Sequence, residues 1–410
     1  MSPVSRKRKP KKTRRAQSRA DRPQPVAAAW WPARIADVLT GADALLDASG
    51  PRELEQAAAE LIGGALHRAL AQETMGFALQ AWLGALIGEA GKVASLKNLY
   101  LLHGVAAIAP ATSAAQARQL IDRLASSGLG GPGWLAATLT PTPTGEVQLL
   151  RDAYGCRFGV IMACGYRDDG AGADHHMYLM DVDTCSAVPD VVDASVHDDL
   201  AAACDAWRAG VGGPAAAATP GAADAELLAD LLPRTSGVEQ GVIGGESRRR
   251  MDNYYRVPRR GDDLAAALAA AGRPLPAETR WLRDIRRGVS ADPFIADFRA
   301  WCAADGQVVP DGEAVRALAE EWLEGTLEET RLSCSPHRIR ALQSRIGIEW
   351  PRDPLTERVA ALLPEWIRWC AQRTGLDPEL AARSVAAARR DLGDWKSIAD
   401  DEAHGAPVPE

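Results

Sequence analysis

What this chain lacks narrows it before anything it contains. Its 410 residues hold no apolar run long enough to span a bilayer: the most apolar stretch, Met75–Ile87, is 13 residues long and includes Gln80, where roughly 20 are needed. That excludes a helical membrane protein and makes the stretch a core helix. No apolar segment follows the charged N-terminus, so no secretory leader is read and a cytoplasmic protein is expected. Seven cysteines are scattered with no CxxC pair and an odd count, which argues against a disulfide framework and for reduced, buried thiols. Aromatics are only 5% of the chain, and 12 of them are Trp against four Phe. No GxSxG elbow is present. Gly128–Gly133 follows a helical pattern and carries Pro132, and Gly241–Gly245 is followed by Glu and Ser instead of Lys and Ser/Thr. Neither is a phosphate loop, so nucleophilic and nucleotide-phosphate chemistry have no support and no cofactor is expected.

What is present is a charge divided in two. The net charge is −7. Residues 1–22 hold ten Lys/Arg and one Asp, a local +9, which leaves −16 on the rest. An acidic body is a poor general partner for a phosphate backbone, whereas the tail is a suitable one. Arg6, Lys7, Arg8, Lys9, Lys11, Lys12, Arg14 and Arg15 are its candidate phosphate contacts, within residues 5–19. Residues 1–26 show no apolar period and are expected to be disordered. A second basic stretch, Arg248–Arg260, includes Arg248, Arg249 and Arg250 and interleaves Tyr254 and Tyr255. Guanidiniums pair phosphates and Tyr rings stack on bases, although a solvated connector pairing with the acidic body is the better expectation for this stretch. No RRM, KH, zinc-finger or basic-zipper pattern accompanies either stretch.

The hydrophobic periods give a mainly α (α+β) fold: two helical parts flanking a small antiparallel β-meander. Leu54, Ala58, Ile62, Ala65 and Ala69 repeat on one helical face, as do Leu99, Leu102 and Ala106 and then Ala117, Ile121 and Leu124. They predict a bundle over 27–133. Residues 134–209 switch period, with strands over 146–151, 157–166, 175–182 and 187–194 and a turn at Asp152–Gly155. Their middle strands are apolar on both faces, so helices are expected to cover them. Residues 210–262 read as a low-complexity linker and a polar Arg-rich segment, and 263–410 as a C-terminal helical domain. The stripe Val359, Leu362, Leu363, Trp366, Cys370 is interrupted by Pro364, which predicts a kink or a late helix start. The tryptophans at helical spacing are expected in the core, as are His67 and His103.

The meander also concentrates Asp and His. Asp174, His175 and His176 open its third strand, and Asp181, Asp183 and Cys185 end it. Strand alternation points His175, Asp181 and Asp183 one way, with Asp190 or Asp193 of the next strand able to lie beside them. His175, His176 and Asp181 are the candidate acid–base residues, and Asp174, His175, Asp181 and Asp183 the candidate metal ligands. Their spacing matches no known metal motif.

The Ser5-Arg-Lys-Arg-Lys start, the meander with Asp152–Gly155 and Asp174–Asp181, and the run Leu363–Trp369 followed by Gly375-Leu376 together resemble an uncharacterised group of bacterial proteins from GC-rich genomes. The resemblance implies a cytoplasmic bacterial protein and no activity. Two expectations follow. One is a non-enzymatic interaction protein tethered to nucleic acid or ribonucleoprotein by its tail, or recognising another protein, without membrane contact. The other is a metal-dependent enzyme at the Asp/His meander.

Overall fold

The computed structural model describes residues 30–71, 75–76, 79–139, 141–166, 174–185, 188–233, 242–243, 247–304, 311–350 and 354–389. The basic tail, with Arg6 to Arg15, lies outside the described residues. Helices α1 (Trp31–Gly41), α2 (Pro51–Leu70), α3 (Leu79–Ala90), α4 (Leu96–Ile108) and α5 (Ala111–Ser126) form the first part. Pro51 starts α2 at the position where a missing N–H costs nothing. Ser95 caps α4 by accepting from the Asn98 N–H. Every residue of α4 from Asn98 to Ile108 is buried, so this helix is the axis around which the bundle packs.

A two-residue strand, β1 (Met75–Gly76), lies between α2 and α3 and pairs antiparallel with β7 (Val242–Ile243). The main sheet is built from β2 (Pro141–Arg151), β3 (Arg157–Tyr166), β4 (Asp174–Asp183), β5 (Asp190–His197) and the short β6 (Gly221–Ala222), in the order β5-β4-β3-β2-β6. All its pairings are antiparallel, as the meander pattern predicts. Between β5 and β6 runs α6 (Leu200–Val211), which covers one sheet face: Ile161 and Leu179 pack there against Ala203 and Trp207. Gly159 lets the indole in, since a Cβ there would stand 3.1 Å from the Trp207 ring. On the other face Phe158, Val160, Met162, Tyr178, Met180 and Val182 meet α7 (Ala225–Leu231) and α9 (Arg256–Ala270). Both faces are therefore covered, which accounts for the apolar middle strands. Within residues 210–262, expected as linker and polar segment, Gly221–Ala222 pairs with the edge of β2.

The Arg-rich segment differs from a solvated connector. It folds into α8 (Arg248–Asn253) and α9, and Arg256, Arg259 and Arg260 are buried. Burial is tolerated because each guanidinium finds acceptors. Arg260 pairs with Glu55 of α2. Arg256 donates to Asn253 Oδ1 at 2.9 Å and Gln56 Oε1 at 2.8 Å. Arg259 donates to Asp263 at 2.8 Å and the Ala109 carbonyl at 3.0 Å. These arginines bolt the first bundle to the sheet.

The last part contains α10 (Arg280–Arg287), α11 (Asp292–Ala304), α12 (Gly312–Leu323), α13 (Pro336–Glu349), α14 (Pro354–Thr374) and α15 (Pro378–Ala388). Phe298, Trp322, Trp366 and Trp369 fill the core of α11–α15. Pro364 neither ends nor delays α14, which runs through it.

Candidate metal centre

The β2–β3 turn and the end of β4 lie side by side where the sheet faces the start of α13. Asp152 builds the turn: its Oδ1 accepts from the Cys156 N–H at 2.9 Å and the Arg157 N–H at 3.0 Å. Gly155 supplies the left-handed residue that closes it, at φ +77°. The next strand ends in an Asx turn, with Asp183 Oδ1 accepting from the Cys185 N–H at 2.6 Å. Thr184 straps the two together, its N–H at 3.0 Å and its hydroxyl at 2.7 Å from the Cys156 carbonyl oxygen. Across the seam, Ser335 caps α13 by accepting from the Arg338 N–H, and Pro336 fixes the first helical residue. The second helical position, His337, then projects toward the end of β4.

The result is a set of three ligand atoms, one each from Asp183, Cys185 and His337, all within 4.8 Å of one another. Asp183 Oδ2 is 2.9 Å from His337 Nδ1 and accepts from Arg157 Nη1 at 3.2 Å. Cys185 Sγ is 3.3 Å from Ser335 Oγ and donates to Cys156 Sγ at 3.2 Å. Asp183, Cys185 and Cys156 are buried, whereas the His337 side chain is 54% exposed, so the set opens to solvent on its histidine side. Burial alone would raise the Asp183 carboxyl, but the His337 hydrogen bond and charge, the Cys185 N–H and Arg157 hold it down to about 2. The hydrogen bond to Cys156, followed by burial, pushes the Cys185 thiol well above its usual range. Imidazole nitrogen, thiol sulfur and carboxylate oxygen converging in this way suit Zn²⁺.

The meander residues separate into different roles. Asp183 belongs to the set. Asp181 faces the same side of β4, but Arg157 grips it through Nε at 2.6 Å and Nη2 at 2.8 Å, and the Trp207 indole donates to it at 3.1 Å. Its oxygens are committed to structure. His175 is exposed and eight residues from Asp183 along β4, roughly 26 Å at 3.3 Å per residue, so the two are not brought together. Asp174 sits at that same far end, paired with Tyr166. His176 is buried and stacks on Tyr166 with centroids 5.5 Å apart, beside the Glu55–Arg260 pair. Asp193 and Asp190 do register opposite Asp181 and Asp183, but they pair with Arg249 at 3.1 Å and Arg250 at 2.9 Å. Arg248 pairs with Asp252 at 2.6 Å. The three arginines of that stretch thus all hold carboxylates. Reading the meander alone misses His337, which is 154 positions from Asp183 and whose local signal is the Ser335-Pro336 helix start that aims it; Cys156 lies in the meander itself, one residue before β3, where the β3–β4 register sets it beside Thr184.

Among the described residues no helix is long and apolar enough to cross a membrane. Comparison with family profiles, curated proteins and solved structures returned no match for this chain.

Proposed function

We propose that this chain is a zinc-binding protein whose centre is Asp183, Cys185 and His337. The observation that carries the proposal is the convergence of three chemically different ligand atoms, from a strand end and a helix start far apart in sequence, within 4.8 Å of one another. Zn²⁺ supplies a compact double charge that draws such ligands together and displaces the thiol proton. The chain's own contribution is to aim them: the Asx turn aims Cys185, the Ser335 cap aims His337, and Arg157 orients Asp183. All seven cysteines are free and buried, which supports a reducing compartment, the cytoplasm, and thiols available to a metal. The test is elemental analysis of the purified chain together with thermal melting on adding Zn²⁺. About one zinc per chain is expected, with zinc affinity lowered in Cys185→Ser and His337→Ala. An absence of bound zinc combined with an unchanged melting temperature on addition would overturn the proposal.

The charge asymmetry favours a second reading, that the basic tail tethers the chain to nucleic acid. Nine cations between Arg6 and Arg19 stand against a body of −16. Binding to random-sequence DNA and RNA is expected to weaken steeply with salt and to disappear when residues 2–22 are deleted. Binding that survives the deletion would sink this reading.

A further inference from the structure

A zinc ion held by three protein ligands keeps a position for water and reacts, whereas one held by four is closed and structural. Resting on the zinc-binding function proposed above, we infer that Cys156 is the fourth ligand. The metal is then a closed clamp, and its occupancy controls how the C-terminal helices dock on the sheet. Cys156 Sγ lies 3.2 Å from Cys185 Sγ, and both side chains are buried. Two thiolates on one tetrahedral zinc stand about 3.8 Å apart, given Zn–S bonds of about 2.3 Å, so about half an ångström of separation admits the ion. The Cys156 backbone is already locked by Asp152 and Thr184. Cys156 lies beyond 4.8 Å from at least one of the other ligand atoms, so coordination draws its turn and α13 together.

Charge points the same way. Arg338, the residue after His337, is fully buried. Its guanidinium donates only to the carbonyls of Thr330 and Trp322 and lies over the Trp322 ring, 4.4 Å from the centroid. Among the described residues no carboxylate pairs with it. The thiols of Cys185, Cys156, Cys370 and Cys334 lie near enough to interact with its charge. A Zn²⁺ with two thiolates, one carboxylate and a neutral imidazole carries one negative charge, which is the counter-charge a buried guanidinium needs. The seam itself is narrow. Among the described residues Leu327 packs into the sheet core, and the seam also includes the Cys185–Ser335 and Asp183–His337 contacts, the Arg151 bond to the Glu329 carbonyl at 2.8 Å, and Tyr154 against Leu376 and Leu380. None of α11–α15 packs broadly on a strand. A metal here would add to the small apolar contact that joins the two sides.

The experiment loads the full chain with Co²⁺ in place of zinc and reads the sulfur-to-cobalt charge-transfer band per bound ion. Wild type and a Cys204→Ser control, altered on α6, should show the two-thiolate intensity. Cys156→Ser and Cys185→Ser should each show roughly half. Full wild-type intensity in Cys156→Ser would overturn the fourth ligand while leaving zinc binding intact, and no Co²⁺ uptake by wild type would overturn both. Should Cys156→Ser fail to fold, Cys185→Ser decides alone, because any band it retains comes from Cys156 and its absence refutes the assignment. Chelation of the wild type should at the same time speed amide exchange at 154–157 and 335–338 several-fold but not in α4. Exchange at the seam that ignores chelation would refute the clamp.

Discussion

At the scale of single residues, the buried polar groups set the conditions under which the fold survives. His103 sits on α4 with 5% of its surface exposed. Burial drives its pKa down to about 4, against a weaker opposing hydrogen bond with Leu135. The unfolded chain binds that proton near pH 6.5 and the folded chain resists it, so between those values the unfolded state holds more protons. Its contribution is therefore complete above pH 6.5 and is lost as the pH falls toward 4, by up to about 3 kcal/mol at 1.36 kcal/mol per unit. Urea unfolding of wild type and His103→Gln at pH 7 and pH 4.5 checks this: the difference in stability between the two proteins should shrink or reverse at the lower pH, and a constant difference would refute it. The Glu55–Arg260 pair tests a second residue-scale claim. Both side chains are almost fully buried, so Arg260→Met leaves a carboxylate inside the protein and should cost about 3–5 kcal/mol. Adding Glu55→Met should recover much of that loss, and a double variant no better than the single one would show the network works by packing alone.

Helices and strands depend on a few close approaches. Gly104 of α4 lies against α2 so tightly that a Cβ there would stand 2.4 Å from the Ala58 Cβ. Gly88 of α3 is exposed, with nothing within 4 Å of its Cβ position. Gly104→Ala should therefore destabilise by about 1–3 kcal/mol through overpacking, whereas Gly88→Ala should stabilise by about 0.5–1 kcal/mol through helix propensity. Melting temperatures that move in the same direction for both would contradict this packing. Elements were legible in the sequence where one local period sufficed. The strand over 157–166 follows from a continuous apolar run bounded by turn residues, and α4 from the period of Leu99, Leu102 and Ala106. The Arg248–Arg260 segment was not legible in that way, because a buried arginine is decided by its acceptor, and Glu55 lies 205 positions from Arg260.

For the molecule as a whole, the same distinction decides how much of the candidate centre could be read beforehand. Asp183 and Cys185 stand together at the end of one strand, so the meander marks them. Cys156 comes beside them through the β3–β4 register, whereas His337 joins only across the seam, and no spacing rule links residues brought together in that way. That seam also divides the apolar interior. The core built on α1–α5 and the core of α11–α15 share no buried residue, while the arginines of α9 tie the first core to the sheet. Separate cores joined by few contacts unfold separately unless something couples them. Calorimetry of the zinc-loaded chain should then show transitions that overlap, and chelation should lower the C-terminal one while leaving the N-terminal one in place. Trp366→Ala identifies which is which: this indole is fully buried against Phe298 and Trp369, and its removal should cost about 3–5 kcal/mol in the C-terminal transition alone. A single transition that Trp366→Ala and chelation shift as one would mean that the seam transmits stability through its protein contacts, and that the metal is not what joins the two cores.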